Sequence, residues 1–147
     1  QDPEKYMAKC IRSIENGGVV PVHGNPNRIG SRYYLHARNM ADAVLFILQN
    51  VTPIQYVDGK ELLPERINIV GDVEMDNLKV AQTIAEICNK PLNYELVDFH
   101  NSLRPGHDFR YALDGKKLRD LGWVAPLGFR ESLERYVEWT KAHPFWL

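Results

Sequence analysis

The chain has 147 residues, of which 44% are hydrophobic and 25% are charged, with a formal net charge of −1. This length and composition suffice for one hydrophobic core, so we expect a single unit over 1–147. A net charge near zero gives no electrostatic reason to expect a nucleic acid or a membrane surface as partner. No apolar run approaches the roughly 20 residues that span a bilayer, and the start shows no signal-peptide pattern. The expected compartment is the cytoplasm.

Hydrophobic periodicity predicts helices mixed with strands along the whole chain. In chain order the predicted elements are a helix over 3–16, a strand over 19–23, a polar loop over 24–31, an extended segment over 32–36, a helix over 39–50, a loop over 51–65, a strand over 66–70, a helix over 76–89, a strand over 94–99, a loop over 100–110, a short helix over 114–121 and a helix over 130–143. This mixture predicts an α/β or α+β fold.

Three further predictions concern the helices. Asp2 and Pro3 are typical of an N-cap and a first helical residue, so we expect the chain to begin within a larger architecture. Cys10 and Cys88 fall on apolar helical stripes, which favours buried free thiols over a disulfide. The residues expected to face inward on the second helix are Met40, Ala43, Val44, Ile47 and Leu48.

The most informative stretch is the predicted loop from Arg104 to Asp108, which reads Arg-Pro-Gly-His-Asp. Proline fixes one backbone angle, glycine lets a ligand approach the backbone, and arginine offers a planar fork of donors to phosphate. Arg32 is a second cationic residue, at the edge of a predicted strand after a loop that also holds Arg28. Two arginines that arrive from separate loops could clamp a diphosphate. The competing interpretation is a Pro-Gly turn with ordinary surface arginines, which composition alone slightly favours.

The five histidines invite a metal hypothesis, but none belongs to a His-x-x-x-His unit and the cysteines form no Cys-x-x-Cys. We therefore expect no zinc site. The chain also has no Gly-x-Ser-x-Gly elbow and no Gly-rich phosphate loop before a lysine.

Ordered motifs along the chain resemble the last third of dTDP-glucose 4,6-dehydratases and related extended short-chain dehydrogenases. The string from Arg104 to Asp114 is the most specific of them. The other matching segments are Asp2–Lys5, Val20–Gly24, Arg32–His36, Ile67–Gly71, Asn77–Leu78, Lys117–Leu118, Leu121–Trp123 and several positions within 129–139. The resemblance implies a mixed α/β fold, the C-terminal substrate-binding portion of an extended Rossmann-type enzyme whose N-terminal NAD-binding domain is absent from this chain.

The same resemblance implies that the chain holds a nucleotide-diphospho-sugar. Arg32 and Arg104 would hold the diphosphate, with Asn77 beside the nucleotide and Lys5 on the nucleoside side. The full set of implied substrate-binding residues is Lys5, Pro21, Val22, His23, Arg32, Asn77, Arg104, Pro105, Gly106 and His107.

The resemblance places no catalytic, cofactor-binding or metal-binding residue in this chain. The family's dinucleotide loop, its helical Tyr-x-x-x-Lys and its acid/base pair lie upstream of the first residue. In the intact enzyme, NAD oxidises the sugar at C4, water leaves across C5 and C6, and the hydride returns at C6. Tyr56 and Lys60 spell Tyr-x-x-x-Lys by chance, because Asp58-Gly59 between them predicts a turn rather than a helix.

The first interpretation is therefore the substrate-binding part of a dTDP-glucose 4,6-dehydratase, inactive alone and expected to be a homodimer at full length. A close alternative is the same part of a nucleotide-sugar 4-epimerase or decarboxylase. From a different class, the chain could be a stand-alone nucleotide-sugar-binding module, or a structural α/β domain without a ligand.

Overall fold

The computed structural model describes residues 3–52, 56–57, 60–61, 66–98 and 108–146. Its helices are α1 (Tyr6–Glu15), α2 (Ala37–Asn50), α3 (Asn77–Cys88), α4 (Lys116–Asp120) and α5 (Phe129–Ala142), with a final 3-10 turn over Pro144–Trp146. Its strands are β1 (Val19–Asn25), β2 (Arg28–Ile29), β3 (Ser31–Tyr33), β4 (Tyr56–Val57), β5 (Lys60–Glu61), β6 (Glu74–Asp76), β7 (Asn93–Val97) and β8 (Arg110–Tyr111). The predicted mixed α/β fold is confirmed.

The strands form three small sheets. In one, the order is β2-β1-β7, with β1 parallel to β7 and antiparallel to β2. In another, the order is β6-β3-β8, with β3 antiparallel to β6 and parallel to β8. The strands β4 and β5 pair as an antiparallel hairpin. The central strand β3 therefore carries neighbours that lie far from it in sequence.

The main core lies where α1, α3 and α5 pack together and α1 and α3 cover β1. Its fully buried side chains include Ile11, Ile84 and Val22. Burying one such side chain stabilises the fold by about 1.5–3 kcal/mol. A second, smaller cluster joins Ala43, Leu118 and Trp123.

The predicted helix boundaries hold best where a cap is local. Asp76 caps α3 by accepting a hydrogen bond from the Lys79 backbone N–H at 2.7 Å, and Asn89 ends it in a left-handed conformation. At α1 the predicted start is wrong. The helix begins at Tyr6 with Lys5 as its N-cap, and Pro3 lies in the preceding turn, so the first helical backbone bond runs from Lys9 N to Lys5 O at 3.0 Å.

The inward face predicted for α2 is correct only in part. Ala43 is fully buried and Ile47 packs against the second cluster. Met40 and Val44, in contrast, are each 42% exposed and Leu48 is 74% exposed. The reason is that the described elements cover one side of α2 only, whereas its apolar residues extend around a wider arc.

The segment 66–70 was predicted as a strand, and the structure assigns none there. A strand requires a neighbour that completes its backbone ladder, and no described strand pairs with this segment. Ile67 and Ile69 instead pack against the second cluster. Their β-branched, apolar character was recognised correctly, but it reflects packing rather than sheet pairing.

The predicted polar loop over 24–31 is mostly a hairpin. β1 continues to Asn25, and Gly24 pairs with Ile29 of β2. Gly24 has a φ of +150°, and a Cβ there would lie 2.6 Å from the Arg28 carbonyl oxygen. Glycine therefore permits the tight return that brings Arg28 toward β3.

Cys10 and Cys88 are free and buried, as predicted. Burial raises the pKa of the Cys10 thiol to about 12, so it remains protonated.

Within the described ranges, no helix has the length and apolar character needed to cross a membrane.

Glu15, at the end of α1, forms two ion pairs. Its Oε2 lies 2.6 Å from Lys90 Nζ and its Oε1 lies 2.8 Å from Lys141 Nζ. Hydrogen bonds from Lys141 and Lys90 lower the pKa of this carboxyl from 4.5 to about 2. Its contribution to stability is complete above the unfolded value and is lost as the pH falls from about 4.5 toward 2. Across this pH window we expect the free energy of unfolding to fall by about 1 kcal/mol more in the wild type than in Glu15→Gln, after allowance for solvent screening.

Urea unfolding of both proteins at several pH values between 6 and about 2.5 measures this difference. Glu131→Gln is the control, because Glu131 bonds only Arg135 of its own helix among the described residues. Equal acid sensitivity of the wild type and Glu15→Gln would contradict the assignment.

Candidate diphosphate-binding site

Several predicted site residues meet around Gly30, between β2 and β3. A Cβ at Gly30 would lie 3.2 Å from Asn77 Nδ2, 3.3 Å from the Phe109 carbonyl oxygen and 3.7 Å from that of His23. The Asn77 N–H donates to Gly30 O at 2.8 Å, and the Ser31 N–H donates to Phe109 O at 2.8 Å. The structure thus gathers His23, Asn77 and the strand of Arg32 beside the segment that follows residue 107.

Arg32 is held in place by carbonyl oxygens and an aromatic ring. Its Nη1 donates to Ser31 O at 2.6 Å and to Phe109 O at 3.0 Å, and Nη2 donates to Asp108 O at 3.2 Å. The guanidinium carbon lies 4.2 Å from the centroid of the Tyr111 ring. Among the described residues these three carbonyl oxygens are the acceptors of Arg32, and none of them bonds its Nε–H. A guanidinium group can bind a phosphate or a carboxylate in bidentate fashion.

Arg28 also rests on an aromatic ring. Its guanidinium carbon is 4.4 Å from the centroid of the Phe109 ring, and its side chain belongs to an exposed residue of β2. Both arginines therefore rest on aromatic residues that flank Arg110. Sequence reasoning named Arg28 and Arg32 but missed Phe109 and Tyr111 as their supports. The alternation of aromatic residues with Arg110 over 109–111, where β8 begins, is the signal that could have indicated them.

Asn77 is only 7% exposed and is part of a buried polar cluster. Its Oδ1 accepts a hydrogen bond from the Tyr34 hydroxyl at 2.7 Å, and its backbone oxygen accepts one from the Tyr6 hydroxyl at 2.8 Å. Burial raises the pKa of both phenols, Tyr6 and Tyr34, above their ordinary values, so both remain protonated donors. These two hydrogen bonds connect α1, and the segment directly after β3, to the start of α3. The Asn77 Nδ2 lies beside Gly30.

Tyr34→Phe is expected to destabilise the protein by about 1–2 kcal/mol, because Asn77 Oδ1 loses its donor in a buried position. The measurement is the free energy of unfolding in urea. Tyr94→Phe is the matched control, since Tyr94 is 47% exposed and has no side-chain hydrogen bond within the described part of the chain. A Tyr34→Phe protein as stable as the control would show that this hydroxyl contributes nothing.

The remaining candidates occupy different environments. Val22 is 0% exposed and its side chain lies in the main core. Pro21 and Lys5 are exposed, and His23 is half-buried at the end of β1. The predicted residues Arg104, Pro105, Gly106 and His107 lie outside the described residues.

On the opposite side of β3, an ion-pair network joins the three strands of its sheet. Arg110 Nε and Nη2 donate to the two Glu74 oxygens at 2.8 and 2.9 Å, and the Ser31 hydroxyl donates to Glu74 Oε1 at 2.6 Å. The Arg110 side chain lowers the pKa of Glu74 to about 2, so this carboxylate stays ionised. This network fixes the register of β3 and β8, and with it the positions of Arg32 and Tyr111.

Three other features of the described residues were candidates for a further functional site. Tyr56 and Lys60 lie on the paired strands β4 and β5, so the predicted absence of a helical Tyr-x-x-x-Lys is confirmed. In the described ranges no three potential metal ligands cluster together. A cavity of about 1140 Å³ lies between the start of α2 and α5, but its lining contains none of the predicted site residues. The arginines, rather than this cavity, offer the charged donors that a diphosphate needs.

No family model matches the chain. The dTDP-glucose 4,6-dehydratase of Escherichia coli is 30% identical over 98% of this chain, which corresponds to 39% of that protein. The chain is similar to dTDP-glucose 4,6-dehydratases. The predicted resemblance is confirmed, and the chain spans about two fifths of the length of the curated relatives it matches.

Solved structures give the same result. A dTDP-glucose 4,6-dehydratase of Bacillus anthracis in complex with NAD matches 99% of this chain and 42% of its own with a TM-score of 0.76 and 25% identity. A UDP-glucose 4-epimerase of Thermus thermophilus in complex with NAD matches 97% of this chain and 43% of its own with a TM-score of 0.75 at 20% identity. The second likeness shows the fold alone.

Proposed function

We propose that this chain is the substrate-holding part of a nucleotide-sugar lyase that dehydrates dTDP-glucose to a 4-keto-6-deoxy sugar. The observation that carries the proposal is the Arg32 guanidinium group, held by Phe109, Asp108 and Tyr111 directly after the predicted Arg104–His107 loop and paired with no described carboxylate. The similarity to dTDP-glucose 4,6-dehydratases over nearly the whole chain supports the substrate class.

In this proposal the residues of the chain bind and position the substrate. Arg32 and Arg104 hold the diphosphate, Asn77 and the Pro105–His107 segment lie beside the nucleotide, and the remaining predicted residues line the nucleoside. The nucleotide lies away from the reacting sugar carbons. Its binding energy can nevertheless be used to orient the sugar, and orientation lowers the barrier at the reacting bond.

The chain's residues do not fit NAD. Its sequence contains no Gly-x-Gly-x-x-Gly, and no such loop opens a helix after a strand. NAD, when bound, supplies the hydride acceptor and donor. We propose that a dinucleotide-binding domain outside this chain holds it, and that the 147 residues alone are inactive. A cytoplasmic homodimer remains the expected state of the whole enzyme.

The direct test is an activity assay of the natural full-length protein that contains this chain. With dTDP-glucose we expect a 4-keto-6-deoxy product, detected by its absorbance in alkali and by mass spectrometry, and no product from the 147 residues alone. Turnover of a UDP-sugar to its C4 epimer or to a decarboxylated product, with none from dTDP-glucose, would contradict the proposal in favour of the epimerase or decarboxylase.

Calorimetry separates the enzyme part from a stand-alone binding module. If the site lies between two domains, the isolated chain binds dTDP weakly, whereas the full-length protein binds it tightly. Equally tight binding by both would favour a self-sufficient module. No binding by either would favour a structural domain without a ligand.

A further inference from the structure

We infer that Phe109 and Tyr111 are positioning residues, which hold Arg28 and Arg32 as a pair of anion-binding cations beside β8. This inference rests on the proposed diphosphate site. It adds Arg28 to that site and gives each arginine its own aromatic support.

The backbone places the two aromatic residues beside β3. β3 and β8 are parallel, with Ser31 opposite Arg110 and Arg32 opposite Tyr111, so Arg32 and Tyr111 share one face of the sheet and Arg110 takes the other. Phe109 directly precedes β8, and its carbonyl oxygen accepts the Ser31 N–H at 2.8 Å and Arg32 Nη1 at 3.0 Å. Arg110 accordingly pairs with Glu74, whereas the Arg28 and Arg32 guanidinium groups contact the Phe109 and Tyr111 rings.

No described carboxylate pairs with either Arg28 or Arg32. Arg110, Arg119, Arg130 and Arg135 each pair with a carboxylate. The contacts of Arg28 and Arg32 within the described ranges are instead with aromatic rings and backbone carbonyls. An aromatic ring and a carbonyl orient a guanidinium group but leave its full positive charge available to an anion.

The arrangement suits a diphosphate. Phe109 and Tyr111 are two residues apart, so their Cα atoms lie at most roughly 7 Å from one another. Guanidinium groups on both rings can therefore flank two linked phosphates. Since Arg32 is already held by three hydrogen bonds, little of its side-chain freedom remains to be lost when the anion binds.

The test uses calorimetric titration of the full-length protein with dTDP and with inorganic diphosphate. Tyr111→Leu removes the π face and is expected to weaken binding of both probes about two- to fivefold, as is Phe109→Leu. Tyr111→Phe keeps the ring and is expected to bind like the wild type. Tyr94→Leu is the matched control, because Tyr94 and Tyr111 are each 47% exposed.

A double-mutant cycle tests whether Arg28 acts through Phe109. Arg28→Gln combined with Phe109→Leu is expected to bind no more weakly than Arg28→Gln alone. Fully additive losses would overturn the coupling. Arg28→Lys keeps the charge but loses the planar group, so binding as tight as that of the wild type would also overturn it.

Arg32→Gln distinguishes failure of the inference from failure of the proposed site. If Arg32→Gln weakens binding and Tyr111→Leu does not, the positioning role is wrong and the diphosphate site stands. If Arg32→Gln leaves binding unchanged, the site itself is wrong. Arg32→Lys adds a test that leaves β8 intact, and we expect it to bind at least as weakly as Tyr111→Leu.

Discussion

Arg32→Gln is expected to weaken dTDP binding by the full-length protein about 10- to 100-fold. A hydrogen bond to a charged group contributes about 1.5–3 kcal/mol, and glutamine removes both the charge and the bidentate fork. The same change should cost little stability, about 1 kcal/mol or less, because the carbonyls that Arg32 bonds belong to partly exposed or exposed residues. The affinity is measured by calorimetry at two salt concentrations.

The control for this prediction is Arg135→Gln. Arg135 is an exposed residue of α5 that pairs with Glu131 one turn away at 2.9 Å. Its replacement removes the same charge and should leave dTDP binding unchanged. Both variants could lose the same affinity, and both losses could shrink by the same factor at high salt. The effect of Arg32→Gln would then come from the protein's overall charge rather than from a binding site. A loss confined to Arg32→Gln supports the direct contact.

The role of Arg32 could be predicted from the sequence only in part. Its residue type and its place after a loop indicated an anion ligand. The ring of Tyr111 and the carbonyls of Asp108 and Phe109 were not predictable, because the pairing of β3 with β8 joins distant parts of the chain. A local pattern carries no information on which strand lies beside another, and that pairing sets the direction of the guanidinium fork.

The same distinction separates the successful from the failed element predictions. α3 was located within a residue or two, since its Asp76 cap, its apolar period and its Asn89 end are all local signals. The strand predicted over 66–70 failed, because strand formation depends on a neighbour. The face of α2 failed at Met40, Val44 and Leu48 for a related reason. Helical spacing identifies an apolar arc but not how much of it other elements cover.

Two site residues show what a family resemblance leaves open. Val22 was expected beside the nucleoside, yet β1 turns its side chain into the main core. Asn77 was expected beside the nucleotide, yet its Oδ1 accepts the Tyr34 hydroxyl. The Val22 side chain therefore packs within the protein, and the Asn77 Oδ1 already accepts one hydrogen bond from it. Motif matching identifies the position but not the atom.

Gly71→Ala is expected to be the most destabilising single-methyl change near the site, at about 2–4 kcal/mol. A Cβ at Gly71 would overlap the backbone carbonyl oxygen of Tyr34 and lie 3.0 Å from its carbonyl carbon. Since both contacts are with backbone, no side-chain rotation can relieve them. The segment after β3 must move, and it carries the Tyr34 hydroxyl that bonds Asn77.

Gly18→Ala is the matched control for this change. Its added Cβ would lie no closer than 3.5 Å to another atom, an ordinary contact, so its stability should differ from that of the wild type by at most about 0.5 kcal/mol. Urea unfolding measures both variants, and titration with dTDP then reports whether the strain reaches the arginines. Because β3 carries Arg32 and is continuous with Tyr34, we expect the Gly71→Ala protein to bind dTDP more weakly even where it remains folded. Stability and affinity equal to those of Gly18→Ala would mean that residues 34 and 71 separate without cost, and that the position of β3 does not depend on this contact.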